Sequence, residues 1–230
     1  MVILAADTST SVNAVCVVRD GRILAETLVQ SGRKHSERLL ETVEWVLAEA
    51  DLRPTDVDTL AVSIGPGSFT GLRVGVAAWK GLALGLGLPL VGVPTLDAMT
   101  RLGAFANGLV CPVLDARMHE VFGAVYSFQN GVRNKLTPDR VCPMERFLDD
   151  VPGPAVFLGD GASLYAEVIR QRLPEAVFAN ALCSLPRASA VALEAIDLLR
   201  NGASADARTV SPVYLRKSQA EEAQKRAALS

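Results

Sequence analysis

Three glycines fall within seven positions of the stretch SIGPGSFTGLRVGVA, residues 63–77, between an apolar run and a helix-forming one. Loops of this kind can cradle phosphate, so the spacing decides what chemistry is open to it. A Walker A loop needs Gly-x4-Gly-Lys-Ser/Thr, because the lysine neutralises the terminal phosphates, and no such lysine follows Gly65 or Gly67. The dinucleotide fingerprint Gly-x-Gly-x-x-Gly is missed by one position, the third glycine being Gly71. A nucleophile elbow reads Gly-x-Ser-x-Gly, whereas this loop reads Gly67-Ser68-Phe69-Thr70-Gly71. What remains is generic. Backbone amides at a helix N-terminus favour an anion, and Ser68, with Thr70 as the alternative, is placed to cap the helix.

Two carboxylates form the second feature. Asp7 and Asp115 each follow an apolar strand-like run and precede small or polar residues. Facing each other across a cleft, such a pair could hold magnesium or activate water; taken singly, an aspartate at a strand end is a turn former. Asp7, Thr8, Ser9, Thr10, Gly65, Gly67, Ser68 and Asp115 are therefore the candidate nucleotide- or anion-binding residues. Metal ligation by side chains is not expected, since the two histidines, His35 and His119, are far apart and no HxxxH or HExxH occurs.

The elements that would position these residues repeat. A strand over 2–6, a polar turn, a strand over 13–18, an Asp20-Gly21 turn and a strand over 23–29 open the chain. A helix follows, capped by Ser36, with Leu39, Leu40, Val43, Val46 and Leu47 at helical spacing. The strand TLAVSI, the glycine loop and a helix to about Leu86 complete the unit. The second half returns to the same order: LVCPVLDARMHEVFGAVYSFQNGVR, then AVFLGDGASLYAEVIRQRL, with Asp115 matching Asp7 and Gly131 matching Gly21. The pattern predicts an internal duplication with mixed sheets: a first lobe over 1–105, a second over 106–216 and a charged tail over 217–230.

The helix behind the glycine loop is apolar nearly all round, with Gly71, Gly75 and Ala78 on a small-residue stripe. Burial against the chain's own sheet and a subunit interface both account for it. The run from Val74 to Val93 is nearly uncharged, but Lys80, Pro89 and five glycines break it into a helix and a strand rather than a membrane span. Half of the 230 residues are hydrophobic, as expected of a packed globular chain, and the net charge of −2 gives no general attraction for nucleic acid. Four widely spaced cysteines and the absence of a signal-peptide pattern place the chain in the cytoplasm as an expectation.

The stretches ILAADTST, HSERLL, AVSIGPGSFTGLRVGVAAWKGLAL, PLVGVPTLDAM, DARMHEVF and PVYLR together resemble the bacterial TsaB (YeaZ) family of tRNA threonylcarbamoyladenosine biosynthesis proteins, from the first strand to about Arg216. GPGSFTGLRVG is the most specific of them. The resemblance implies an α/β, two-lobed, duplicated RNase H-like fold of the ASKHA (actin-like ATPase) superfamily. It implies a non-catalytic partner of TsaD, the relative that carries HxxxH and transfers the threonylcarbamoyl group to an adenosine of tRNA. It further implies a heterodimer with TsaD, support for recruitment of the ATPase TsaE, a homodimer when alone, and contact with tRNA only through the complex. No cofactor of its own is expected; ATP or ADP would lie at or near the partner interface. Pairing would use the first two long helices, around 36–49 and 70–86. Leu39, Leu40, Val43, Gly71, Val74, Gly75 and Ala78 are the candidate contacts by helical spacing. A stand-alone ATP-dependent kinase of the same superfamily is the alternative, and a peptidase ranks last.

Overall fold

The computed structural model describes residues 1–30 and 39–216. Ser36 and His35 at the expected helix start, and the tail over 217–230, lie outside the described residues.

The first sheet is built from β1 (Val2–Asp7), β2 (Val12–Arg19) and β3 (Arg22–Gln30). After α1 (Leu39–Glu49) come β4 (Thr59–Gly65), α2 (Phe69–Leu86) and β5 (Leu90–Pro94). The strand order is β3-β2-β1-β4-β5. β1, β2 and β3 are antiparallel neighbours, while β4 runs parallel to β1 and to β5. The β2–β3 reversal uses Asp20 and Gly21 at φ 52° and 80°, the two successive left-handed residues that a type I′ hairpin requires. β1 is buried on both faces, which is why it reads as a continuous apolar run rather than an alternating one. Leu4 and Ala6 face the layer of α1 and α2, where Leu39, Val43, Val76 and Trp79 are buried. Ile3 and Ala5 face the opposite layer.

The short α3 (Thr95–Met99) and the 3₁₀ turn after it lead into the second sheet. Its strands are β6 (Gly108–Arg117), β7 (Glu120–Gly123), β8 (Tyr126–Gln129), β9 (Val132–Lys135), β10 (Arg140–Pro143), β11 (Ala155–Leu158) and β12 (Val177–Phe178), with α4 (Met144–Leu148) before β11 and α5 (Asp160–Leu164) and α6 (Ala166–Arg172) after it. β7 pairs with the distal end of β6 and β8 with its proximal end; β10 lies beside β7 and β9 beside β8. Two short strands thus stand where the first sheet has one, and the order again runs outward from β6 to β11 and β12 on the parallel side. The Asn130-Gly131 turn repeats the first hairpin with φ 52° and 79°. The architecture is a two-lobed, duplicated RNase H-like fold of the ASKHA class.

The last helix, α7 (Ala188–Arg200), does not cover the second sheet. Its Ala188, Val191, Ala192 and Ala195 pack on the face of the first sheet that carries Ile3, Ala5 and Val91. The segment behind it stays there: the Leu90 amide donates to the Ala205 carbonyl and the Val213 amide to that of Ile64. α3 lies between the sheets, with Ala98 turned to the first and Leu96 and Met99 to the second. Among the described residues no helix is long and apolar enough to cross a membrane. The uncharged run from Val74 is the end of α2, a turn and β5.

Candidate functional site

Asp7 closes β1 and is buried. Its Oδ1 accepts the Ser9 amide at 2.9 Å and the Ser9 hydroxyl at 2.7 Å, so it fixes the turn into β2. Asp115 makes the matching contact, its Oδ1 accepting the Arg117 amide at 2.8 Å. β6, however, runs on past Asp115 to Arg117, which pairs with Glu120 beyond a register shift, and the turn that follows holds three successive left-handed residues, Arg117, Met118 and His119, at φ 63°, 55° and 62°. Non-glycine residues occupy that region at a cost of about 1–2 kcal/mol each, and such strain concentrates at functional sites.

The two turns border a cleft of about 600 Å³ between the lobes, walled by Ser9, Thr10, Ser11, Gly67, Ser68, Thr70, Asp115 and Asp160 among others. The expected pairing of Asp7 with Asp115 across it is not what lines it. Asp7, Thr8 and Gly65 lie behind the wall, and the second carboxylate at the surface is Asp160, whose Oδ1 accepts the Asp115 amide at 3.0 Å. Burial raises the Asp160 carboxyl above its usual range, and the neighbouring Asp115 adds to the effect. Among the described residues no group of three or more His, Cys, Asp or Glu is placed to hold a metal ion.

The glycine loop is tied to the first turn, since the Ser68 amide donates to the Ser9 carbonyl at 2.6 Å. The candidate residues Ser9, Thr10, Gly67 and Ser68 are thus brought together on one wall. Ser68 caps α2 as expected, its hydroxyl accepting the Gly71 amide at 3.3 Å. The four-residue spacing of Gly71 and Gly75 has a direct cause. A Cβ on Gly71 would collide with the carbonyl oxygen of Thr8, and one on Gly75 with the Thr8 hydroxyl, which itself donates to the Gly71 carbonyl at 2.8 Å.

That contact changes the expected interface. Leu39, Val43, Gly71 and Gly75 are buried within the chain itself, Val74 and Ala78 are half-buried, and of the seven only Leu40 stands out, at 55% exposure. The outward row of α2 is instead Thr70, Arg73, Ala77, Gly81 and Leu84, with Leu84 72% exposed. On α1, Trp45 is half out in solvent at 51%. Trp45 was legible from the spacing, because it falls out of phase with Leu39, Val43, Val46 and Leu47. The cleft also holds two aromatic residues that spacing could not have joined. Phe69 and Tyr214 lie ring to ring at 4.5 Å, with the Arg73 guanidinium 3.9 Å over Phe69 and its Nε donating to the Tyr214 hydroxyl at 3.0 Å.

Comparison with known proteins agrees with this architecture. Residues 24–224 match the family model of TsaD, tRNA N6-adenosine threonylcarbamoyltransferase. The chain is 32% identical to the tRNA threonylcarbamoyladenosine biosynthesis protein TsaB of Bacillus subtilis, over 96% of both chains. It is 32% identical to TsaB of Escherichia coli over 94% of this chain and 95% of that one. The solved structure of YeaZ from Pseudomonas aeruginosa superposes with a TM-score of 0.79 at 32% identity, covering 93% of this chain and 99% of the other. With full-length similarity in sequence and in structure, the chain belongs to the TsaB (YeaZ) family of tRNA threonylcarbamoyladenosine biosynthesis proteins.

Proposed function

We propose that the chain serves threonylcarbamoyladenosine synthesis as a non-catalytic subunit that docks on TsaD through the outward faces of α1 and α2. The observation that carries this is the exposed apolar row Leu40, Trp45, Ala77 and Leu84 on two helices that cover the same face of the first sheet. Exposed aliphatic and aromatic side chains of this size lose water when a second helical pair covers them, and a central aromatic commonly dominates such an interface. Small residues at Ala77 and Gly81 let a partner helix approach closely. In this reading a homodimer of the isolated chain uses the same face, so TsaD and a second copy compete for it.

The contribution to the reaction is one of binding energy. Docking favours whichever arrangement of TsaD presents the matching surface, and the effect is limited to the difference in affinity between its states. TsaE is recruited to the assembled pair, and ATP or ADP lies at or near the partner interface, within reach of the hydroxyl-lined wall of Ser9, Thr10 and Ser68.

Trp45→Ala combined with Leu84→Glu tests the reading without touching the core. Each position is expected to cost about 2 kcal/mol of association, together near a thousandfold in Kd. Size-exclusion and calorimetry with TsaD, alongside circular dichroism for the fold, provide the measurement. A folded double variant that binds TsaD with parental affinity would exclude this face. A parental chain that binds magnesium-ATP alone and phosphorylates a small substrate would favour the kinase reading instead.

A further inference from the structure

Within the described residues the chain passes between the two sheets three times: through the linker after the 3₁₀ turn, through the segment from β12 to α7, and through residues 210–216. The first crossing lies beside a buried charge cluster, and the second is tied to β3 by Arg187, which donates to Glu26 at 2.6 Å. Glu194 of α7, 2% exposed, accepts from Arg101 Nε at 2.8 Å and from Arg133 of β9 at 2.6 Å and 3.0 Å. Arg133 also donates to the Asp97 carbonyl and to the Thr100 hydroxyl. These contacts join α7, α3 and the second sheet on one side of the molecule.

The third crossing lies at the cleft. Lys80 of α2 donates to the carbonyls of Arg208 and Val210, and the Val213 amide donates to Ile64 at 2.7 Å. The Val213 carbonyl runs so close to β4 that a Cβ on Gly65 would lie 2.5 Å from it. Tyr214 is held by Phe69 and Arg73 of α2. The next two residues belong to the other lobe: Leu215 packs on the cluster of Leu114, Ala116 and Phe122, and Arg216 donates to Glu120 at 2.8 Å and to the Ala116 carbonyl at 3.2 Å. Three consecutive side chains therefore change allegiance from the first lobe to the second.

We infer that Val210–Arg216 is a latch: it holds the cleft at one opening angle, and its release lets the lobes part about the Glu194 cluster as a hinge. The latch anchors on Phe69 and Arg73, so the N-terminal turn of α2 is where an event at the surface could set it free. This inference stands on the chain's own contacts and is independent of what docks on α2.

Two spin labels read the angle directly, one at Ser11→Cys on the first lobe and one at Glu145→Cys on the second. Cys142 and Cys183 are replaced by serine, and the buried Cys16 and Cys111 are left in place. The parent is expected to give one narrow distance distribution. Tyr214→Ala with Arg216→Ala is expected to add a longer-distance population and to speed amide exchange at Arg117 by at least about tenfold. If the double variant is poorly folded, Phe69→Ala with Arg73→Leu removes both contacts to Tyr214 while leaving the strap's own residues intact, with the same result expected. Arg140→Ala, which breaks the Arg140–Asp150 pair inside the second lobe, serves as the control and should leave the distances unchanged. An unchanged distribution in folded latch variants overturns the proposal. Equal broadening in the Arg140 variant does so too, because it would mean general loosening.

Discussion

At the scale of single residues, the glycines of α2 were legible as a device for close approach, and what approaches was not. Gly71 and Gly75 read from the sequence as room for either the chain's own sheet or a partner; the structure fills their space with Thr8, 63 positions before Gly71. That distance is closed only by the parallel β1–β4 register, which no local pattern encodes. Gly71→Ala is expected to cost at least about 2 kcal/mol, because the added methyl meets a backbone oxygen that cannot give way. Gly75→Ala should cost less, since the Thr8 hydroxyl can rotate at the loss of its hydrogen bond; thermal unfolding of both variants checks the order. Asp160 carries a pH prediction. Its folded carboxyl lies above the usual 3.8, so the fold disfavours the ionised form. Its contribution to stability is therefore greatest below that value and is lost as pH rises through the folded pKa. Asp160→Asn should remove this decline, gaining on the parent in denaturant midpoint as pH rises above the ordinary aspartate value of 3.8.

At the scale of elements, the main helices and strands followed from periodicity, but the outward faces of α1 and α2 did not, since of the seven expected contacts only Leu40 is exposed. The first hairpin and the cap at Ser68 were legible because their chemistry is local: Asp-Gly at a reversal, a hydroxyl before an apolar helix. The split of one expected strand into β7 and β8 was missed: Ala124 and Val125 at the break are buried and apolar, and the one local signal is Gly123, which closes β7. α2 yields its own prediction. Gly81 sits mid-helix with nothing within 4 Å of an added Cβ. Gly81→Ala should thus stabilise the chain by about 0.5–1 kcal/mol by helix propensity alone. If α2 is the docking face, the same change should weaken TsaD binding while Tm rises, a split that calorimetry and melting together would resolve.

At the scale of the whole molecule, the duplication was legible as a repeated order of elements, and the two sheets repeat it in space, β3-β2-β1-β4-β5 in the first and β10-β7-β6-β11-β12 in the second. The return of α7 to the first sheet was not legible, because an amphipathic helix states that it needs an apolar face without saying which. Its Glu194 marks the join between lobes. Arg133→Ala leaves that buried carboxylate with one guanidinium and should cost about 2–4 kcal/mol, whereas Arg101→Met, Arg133→Leu and Glu194→Met together should recover most of the loss in urea unfolding.

The return of α7 also bears on synthesis. When the ribosome has released β1 to β5, the face formed by Ile3, Ala5, Val12, Ala14 and Val91 has no cover, and its covering helix lies about ninety residues further along the message. The first lobe is thus finished last, after most of the second has been made. During translation it is the nascent N-terminal half, greasy on one side, that most needs a chaperone's shelter.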